Sequence, residues 1–194
     1  RDTMADIIEI PAEKLHCTIK IFVKNNTNDP AKYQVYTLAR SDDQEGYWHG
    51  RPLEYGSTHA HSVGENSGFA SLLGVHDGKN DWTQNAYTCF IANKLDKIEK
   101  YANSGKEWEK HYKSTAVFPI RFHHQNEPCP HVIGFVTFDS KKSVFGKKSI
   151  FDFNKPSDYY KEIKALSLFH VGGIMADSLY PSLIMYRVDR KRKD

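Results

Sequence analysis

The sequence predicts an α+β domain, with a central antiparallel sheet of about five to six strands and helices on one face. Three observations predict this fold class. Apolar and polar residues alternate over several short runs, turn-forming residues separate those runs, and segments with helical spacing lie between or after them. Helices gathered beside an antiparallel sheet are typical of an α+β domain.

Length and composition set the limits on this prediction. A chain of 194 residues has the length of one domain. Its 39% hydrophobic and 26% charged residues are typical of a globular protein, which excludes a wholly disordered or fibrous chain. No run of 18 apolar residues occurs, so the sequence predicts no membrane-spanning helix.

The first two predicted strands flank a turn. In Leu15–Val23, alternate residues such as Cys17 and Ile19 share one face of a half-buried strand. Tyr33–Ala39 alternates in the same way. The segment 25–30 between them is rich in Asn, Asp and Pro, which predicts a tight connection and antiparallel pairing.

A long loop is expected to follow, over about residues 41–68, because glycines are spread through it. Within it, Val63–Leu73 is predicted to be a capped short helix, with Asn66 or Ser67 as its N-cap. Phe69 and the leucines after it would form the apolar stripe of that helix.

The second half of the chain is predicted to hold three further strands and two helical segments. The strands are expected at Ala86–Ala92, Ser114–Phe122 and Val132–Phe138. A polar helical segment, broken near Gly105, is expected over Asn93–Lys113. A long apolar helix is expected from Ser157, and Pro181 would end it. Within the last helix, Gly172 and Gly173 would allow a close backbone approach.

Charge and cysteine content restrict the partners. The formal net charge of +3 lies in residues 187–194, and the rest of the chain is neutral. We therefore expect no specific nucleic-acid partner, because nucleic-acid binders usually carry a basic face on the folded body. Three cysteines without regular spacing favour a reducing compartment, so we expect a cytoplasmic protein.

Domain organisation follows from these patterns. We expect residues 1–14 to be a lead-in helix or linker, residues 15–181 to be the folded domain, and residues 182–194 to be a C-terminal extension with a basic tail. Because three residues precede Met4, we expect the chain to be a segment of something longer, or to carry artificial residues at its start. Contact with a membrane would then come only through missing flanking segments or the basic tail.

Four segments together resemble a GAF domain. They are Val63–Leu73, Tyr87–Leu95, Ala116–Ile120 and Ile133–Ser140. In that family a strand ending in a Pro-Ile pair precedes a hairpin, an Ile-Gly-aliphatic strand and a terminal helix. The resemblance covers roughly residues 5–181, and the related PAS fold is the alternative.

The resemblance implies a sensor or regulatory module for signalling, often dimeric through its terminal helices. A small-molecule pocket would lie between the sheet and a loop-helix lid, here about Gly46 to Asn85. Cyclic-nucleotide binding is in doubt, because the Asp-Glu pair of the binding members is missing after Phe145. The lid segment has no cysteine for bilin or haem attachment, so we expect no cofactor.

The candidate ligand contacts are aromatic residues that could line a pocket and polar residues that could hydrogen-bond a ligand. They are Trp48, Tyr55, His59, His61, Asn66, Phe69, Trp82 and Asn93. Their alternatives are core packing for the aromatics and solvent-exposed loop positions for the histidines.

Two enzyme hypotheses stand beside the sensor. Four zinc-competent side chains lie close together at His123, His124, Cys129 and His131, but known zinc patterns separate their ligand pairs by a dozen residues or more. An exposed hairpin loop is the alternative. Cys89 could be a redox nucleophile, although its place in a strand favours a buried, inert thiol.

The sequence therefore predicts a non-catalytic, GAF-like sensory domain. It would bind an unidentified small molecule or a partner under the lid and pass the change through its terminal helix as a homodimer. A protein–protein interaction module without a ligand is the third alternative.

Overall fold

The computed structural model describes residues 1–7, 11–22, 29, 32–41, 60–73, 89–93, 95–97, 101–103, 108–110, 112–122, 131–141 and 170–184. Within these ranges six strands form one sheet. They are β1 (His16–Phe22), β2 (Gln34–Arg40), β3 (His61–Ser62), β4 (Phe90–Asn93), β5 (Ser114–Phe122) and β6 (His131–Ser140). Their order is β3-β2-β1-β6-β5-β4, and every neighbouring pair is antiparallel. The predicted antiparallel sheet of five to six strands, and with it the α+β fold, is confirmed.

Most strands lie where the sequence predicted them. β5 has the predicted bounds, and β1 and β6 differ from theirs by one or two residues at each end. β3 was expected to be loop. It has two residues, too few for any alternation, and it exists because His61 pairs with Val35 at the edge of β2.

The described helices are α1 (Asp2–Ile7), α2 (Ser67–Leu72) and α3 (residues 170–184), with short 3₁₀ turns between strands. In α1, Met4 and Ala5 are buried in the same core cluster as the central strands. None of the helices in the described ranges combines the length and the apolar character needed to cross a membrane.

The helices cover both faces of the sheet, whereas the sequence led us to expect one. Phe135 and Val136 are neighbours in β6 and therefore point to opposite faces. Phe135 packs with Phe69 of α2, and Val136 packs in the cluster that contains Ala176 of α3. Because β6 is apolar on both sides, both faces of the sheet need a cover.

The expectation that Pro181 ends the last helix is wrong, because residues 170–184 are helical throughout. A proline inside a helix costs about 3 kcal/mol or more, since it removes a backbone donor and crowds the preceding turn. Two residues later, Leu183 is buried in the core against the sheet. Its burial offsets about 2 kcal/mol of that cost and holds the last turn in place.

The helix expected over Asn93–Lys113 is also wrong. The described part of this segment holds 3₁₀ turns at Leu95–Lys97 and Trp108–Lys110, and residues 101–103 have no regular structure. Its aromatic side chains instead form a separate cluster, in which Tyr101 and Trp108 lie with ring centroids 4.9 Å apart. Packing of these rings, rather than helical periodicity, decides the path of the chain.

Candidate functional site

The face of the sheet that carries α2, here called the α2 face, has an apolar part and a polar part. Beside α2 it is apolar, and Phe69 stacks on Phe135 with ring centroids 4.5 Å apart. Farther along the same strands the side chains are polar. We call this second part the polar patch; it consists of Thr18 and Lys20 of β1, Thr37 of β2, Thr115 of β5, and Thr137 and Asp139 of β6.

Strand register brings the patch together. Thr18 lies directly opposite Thr137, and Asp139 lies between His16 on one side and Thr115 on the other. Directly paired residues project from the same face of a sheet, with Cβ atoms about 5 Å apart. Residues from four strands therefore meet on one surface, although they are distant in sequence.

Three hydroxyl groups form a hydrogen-bonded chain that ends on the carboxyl group of Asp139. The Thr115 hydroxyl donates to Asp139 Oδ1 at 2.6 Å, and the Thr137 hydroxyl donates to Asp139 Oδ2 at 3.1 Å. The Oγ1 atoms of Thr18 and Thr137 are 2.6 Å apart. Since Thr137 has a single hydroxyl hydrogen and an ionised carboxylate only accepts, the hydroxyl of Thr18 donates to that of Thr137.

Positive charge lies on the β1 and β2 side of the patch. The ammonium group of Lys20 donates to Thr37 Oγ1 at 2.8 Å. Arg40 pairs with Thr18 in the next cross-strand row, and its Nε and Nη1 atoms are buried. In the part of the chain that the structure describes, Asp139 accepts hydrogen bonds from two hydroxyls and makes no ion pair within 4 Å.

The surroundings of Asp139 change its acidity. Removal of the carboxyl group from water raises its pKa from 3.8 to about 6. The hydroxyls of Thr115 and Thr137 and the charge of Lys20 act in the opposite direction, because they stabilise the ionised form. Burial is the larger effect, so this acid titrates close to neutral pH.

The threonines of the patch are buried. Thr18, Thr37, Thr115 and Thr137 are each 3% or 4% exposed. A buried hydroxyl costs free energy unless it is hydrogen-bonded, whereas valine has almost the same shape and carries no such cost. Four buried threonines on one surface therefore make a polar site inside the fold rather than an ordinary packed core.

The sequence-predicted ligand contacts fall into two groups. Trp48, Tyr55, His59 and Trp82 lie outside the described residues. Of the others, His61 is half-buried in β3 and Asn93 ends β4, where it pairs with Ser114. The structure does not bring these two into the polar patch, and their role as ligand contacts stays a prediction.

Asn66 and Phe69 both serve the local fold. Asn66 is 7% exposed and caps α2, because its Oδ1 accepts a hydrogen bond from the backbone N–H of Phe69 at 3.2 Å. Of the two caps proposed from the sequence, Asn66 is the one observed. Phe69 is 3% exposed and fills the space between α2 and the sheet. A ligand contact at either residue also remains a prediction.

The residues of the enzyme hypotheses are only partly described. Burial raises the pKa of Cys17 to about 11 and that of Cys89 to about 12, so both thiols are protonated at neutral pH. His131 is exposed at the start of β6, while the other members of its proposed zinc cluster (His123, His124 and Cys129) lie outside the described residues. Among the residues that are described, no three metal-binding side chains are grouped.

Sequence reasoning missed the polar patch. Thr18 and Lys20 alternate with the apolar residues of β1, and such positions usually face solvent. The available signal was one threonine on this face of each strand, Thr18 in β1 and Thr137 in β6, with Asp139 two residues after the second. Which outward positions become buried depends on strand pairing, and alternation within one strand does not report that.

Comparisons with known proteins give a similarity among solved structures. No protein family matches the chain. No curated protein matches it either. Among solved structures, the chain is similar to the GAF domain of a two-component sensor histidine kinase from Bacillus halodurans, with 10% identity, a TM-score of 0.43, and 93% of each chain covered. This is the kind of domain that the sequence resembles, while the α+β assignment depends on the strand order and register of the chain itself.

Proposed function

We propose that this chain is a non-catalytic sensory module and that a small polar molecule binds over the polar patch. The observation that carries the proposal is the burial of four threonines on one surface of the sheet, beside the half-buried residues Lys20 and Asp139. Stability alone does not require these groups, since apolar residues of the same shape are often as stable or more so. A ligand site does require them.

The groups on the patch indicate the chemistry of the ligand. The ammonium group of Lys20 is a hydrogen-bond donor on the patch, where it contacts Thr37. The Asp139 carboxylate has about four acceptor positions, of which the two hydroxyls use two. A molecule with both an acceptor group and a donor group fits this pattern better than a hydrocarbon does.

β5 offers a route from the patch to α3. Thr115 and Val117 face the α2 side, whereas Phe118 faces α3, where Gly172 lies against its ring. At the end of the strand, the Arg121 guanidinium donates to both carboxylate oxygens of Asp177, at 3.1 and 2.9 Å. A ligand that displaces β5 would therefore displace α3 as well.

The proposal includes the finer expectations from the sequence. The lid would be the segment 46–85, of which residues 60–73 are described. The protein would be cytoplasmic and would form a homodimer through α3, on which Ile174 is 69% exposed. Sedimentation of the purified protein measures the oligomeric state.

Native mass spectrometry tests the ligand proposal. We expect the purified protein to carry a small molecule whose occupancy falls at least tenfold in Lys20→Met and in Thr137→Val. Lys97→Met is the matched control, because the same substitution lies on an exposed 3₁₀ turn away from the patch. Wild-type occupancy in both patch variants would place the molecule elsewhere. A wild-type protein that carries nothing and is not stabilised by any compound of a polar metabolite library would contradict the proposal.

A further inference from the structure

Asp139 lies on β6, which is a central strand of the sheet rather than an edge strand. Its neighbours in register are His16 of β1 and Thr115 of β5, and β6 lies between those two strands. The hydroxyl chain from Thr18 through Thr137 crosses from β1 to β6 and ends on Asp139. The charge state of one carboxyl group is thus connected to hydrogen bonds that join the central strands.

In the ionised state all hydroxyl hydrogens of the chain point toward Asp139. Protonation changes this direction. A proton taken from a solvent acid binds to Asp139 Oδ2, which then donates to Thr137 Oγ1. The hydroxyl hydrogen of Thr137 then points to Thr18 Oγ1. The hydroxyl hydrogen of Thr18 rotates away from Thr137, because only one hydrogen lies between two hydrogen-bonded oxygens. Thr115 continues to donate to Oδ1, so one proton reverses two hydrogen bonds and leaves the third.

Other charged and titratable groups face this position. β1 contributes His16 opposite the carboxyl group and Lys20 one row away, and the charge of Lys20 favours ionisation. β2 contributes Arg40, opposite Thr18. The described residues of β4 and β5 nearest to it in register, Ala92 and Thr115, carry no charge.

Two titratable groups outside the patch, Tyr101 and Cys17, respond to the charge of Asp139. Burial raises the pKa of Tyr101, and the negative charge of Asp139 raises it further. Cys17, on the opposite face of β1, has its pKa raised mainly by burial and to a smaller extent by Asp139. Neither group is ionised near neutral pH.

We propose that Asp139, Thr137 and Thr18 form a proton-operated switch, in which uptake of one proton at Asp139 reverses the hydroxyl chain between β6 and β1. This inference does not depend on ligand binding, because every group in it belongs to the chain.

The direction of the pH dependence follows from the raised pKa of Asp139. With a pKa of about 6 in the folded state and 3.8 when unfolded, the folded protein binds more protons than the unfolded chain between about pH 4 and pH 6. By linkage, the stability contributed by protonated Asp139 is full below about pH 4 and is lost as the pH rises through 6. The switch therefore operates close to pH 6, where about half of the molecules are protonated.

Carbon-13 NMR of the Asp139 carboxyl group in the full chain, from pH 3 to pH 8, tests the proposal. We expect a midpoint near pH 6, and we expect Thr137 and Thr18 side-chain resonances to move with the same midpoint. Thr137→Val should raise the midpoint, because it removes a hydrogen bond to the ionised form. Thr18→Val, which keeps both hydrogen bonds to Asp139, should raise it less.

Two results would overturn the proposal: a midpoint below about pH 4.5, or threonine resonances that do not follow the carboxyl group. Urea unfolding gives a second measurement. The wild type should lose stability relative to Asp139→Asn between pH 4 and pH 6, and a constant difference across that range would also contradict the switch. If Asp139→Asn does not fold, the wild-type titration decides alone.

Discussion

The two faces of the sheet are made by alternate residues of the same strands, yet they differ in chemistry. On the face that carries α3, Phe118, Val136 and Phe138 are 2%, 1% and 2% exposed and pack as an apolar core. On the α2 face, the neighbouring residues Thr137 and Asp139 belong to the polar patch. The comparison indicates that apolar packing on the α3 face stabilises the strands, while part of the α2 face carries polar groups instead.

Free energies support this division. Burial of one phenylalanine side chain contributes about 2–3 kcal/mol. A hydrogen bond between two hydroxyls contributes about 1 kcal/mol net, and burial of the Asp139 carboxyl group opposes folding when it is charged. The apolar core on the α3 face therefore contributes far more stability than the polar patch, which is close to neutral.

One substitution on each face tests most directly whether the two faces differ in their contribution to stability. Phe118→Ala should lower the free energy of unfolding by about 3–5 kcal/mol, because it opens a cavity beside Phe138, whose ring centroid is 6.1 Å away. Thr137→Val should change it by about 1 kcal/mol. Urea denaturation measures both, and similar losses at the two positions would show that the faces do not differ in stability.

A smaller loss of stability is expected from a substitution where α3 packs against β5. A methyl group at Gly172 would overlap the ring of Phe118, so Gly172→Ala should cost about 1–3 kcal/mol. Gly173 is its matched control. A methyl group there would meet Arg121 Nη2 at 3.7 Å, an ordinary contact, and alanine is the better helix former by about 1 kcal/mol. Thermal unfolding should rank Gly173→Ala at or above the wild type, and equal losses at both glycines would disprove this packing.

The smallest expected effect concerns α2. Asn66→Ala removes the side-chain cap on the Phe69 N–H and should cost about 1 kcal/mol. Asn66→Ser, which keeps an oxygen acceptor, should recover most of it. Chemical denaturation measures the loss, and native mass spectrometry of the same variants shows whether Asn66 also contacts a ligand. A neutral Asn66→Ala variant would mean that the cap contributes nothing to stability.

The sequence predicted correctly those elements whose position depends on interactions between residues close together in the chain. A central apolar run located β5 at Ser114–Phe122, and capping chemistry located the start of α2. The pair Gly172-Gly173 predicted a close approach, but the structure assigns it to Gly172. The helix end at Pro181 was not predictable from local rules, since the burial of Leu183 against the sheet outweighs the local preference of proline.

By itself, the sequence determined that this chain forms an antiparallel sheet with strands near their observed positions, because a period of two is a property of each strand alone. The tertiary structure decided which outward residues become a site. Thr18 and Thr137 are 119 positions apart and come within 2.6 Å through the pairing of β1 with β6. Their burial, and the raised pKa of Asp139 beside them, depend on that pairing, which no single segment encodes.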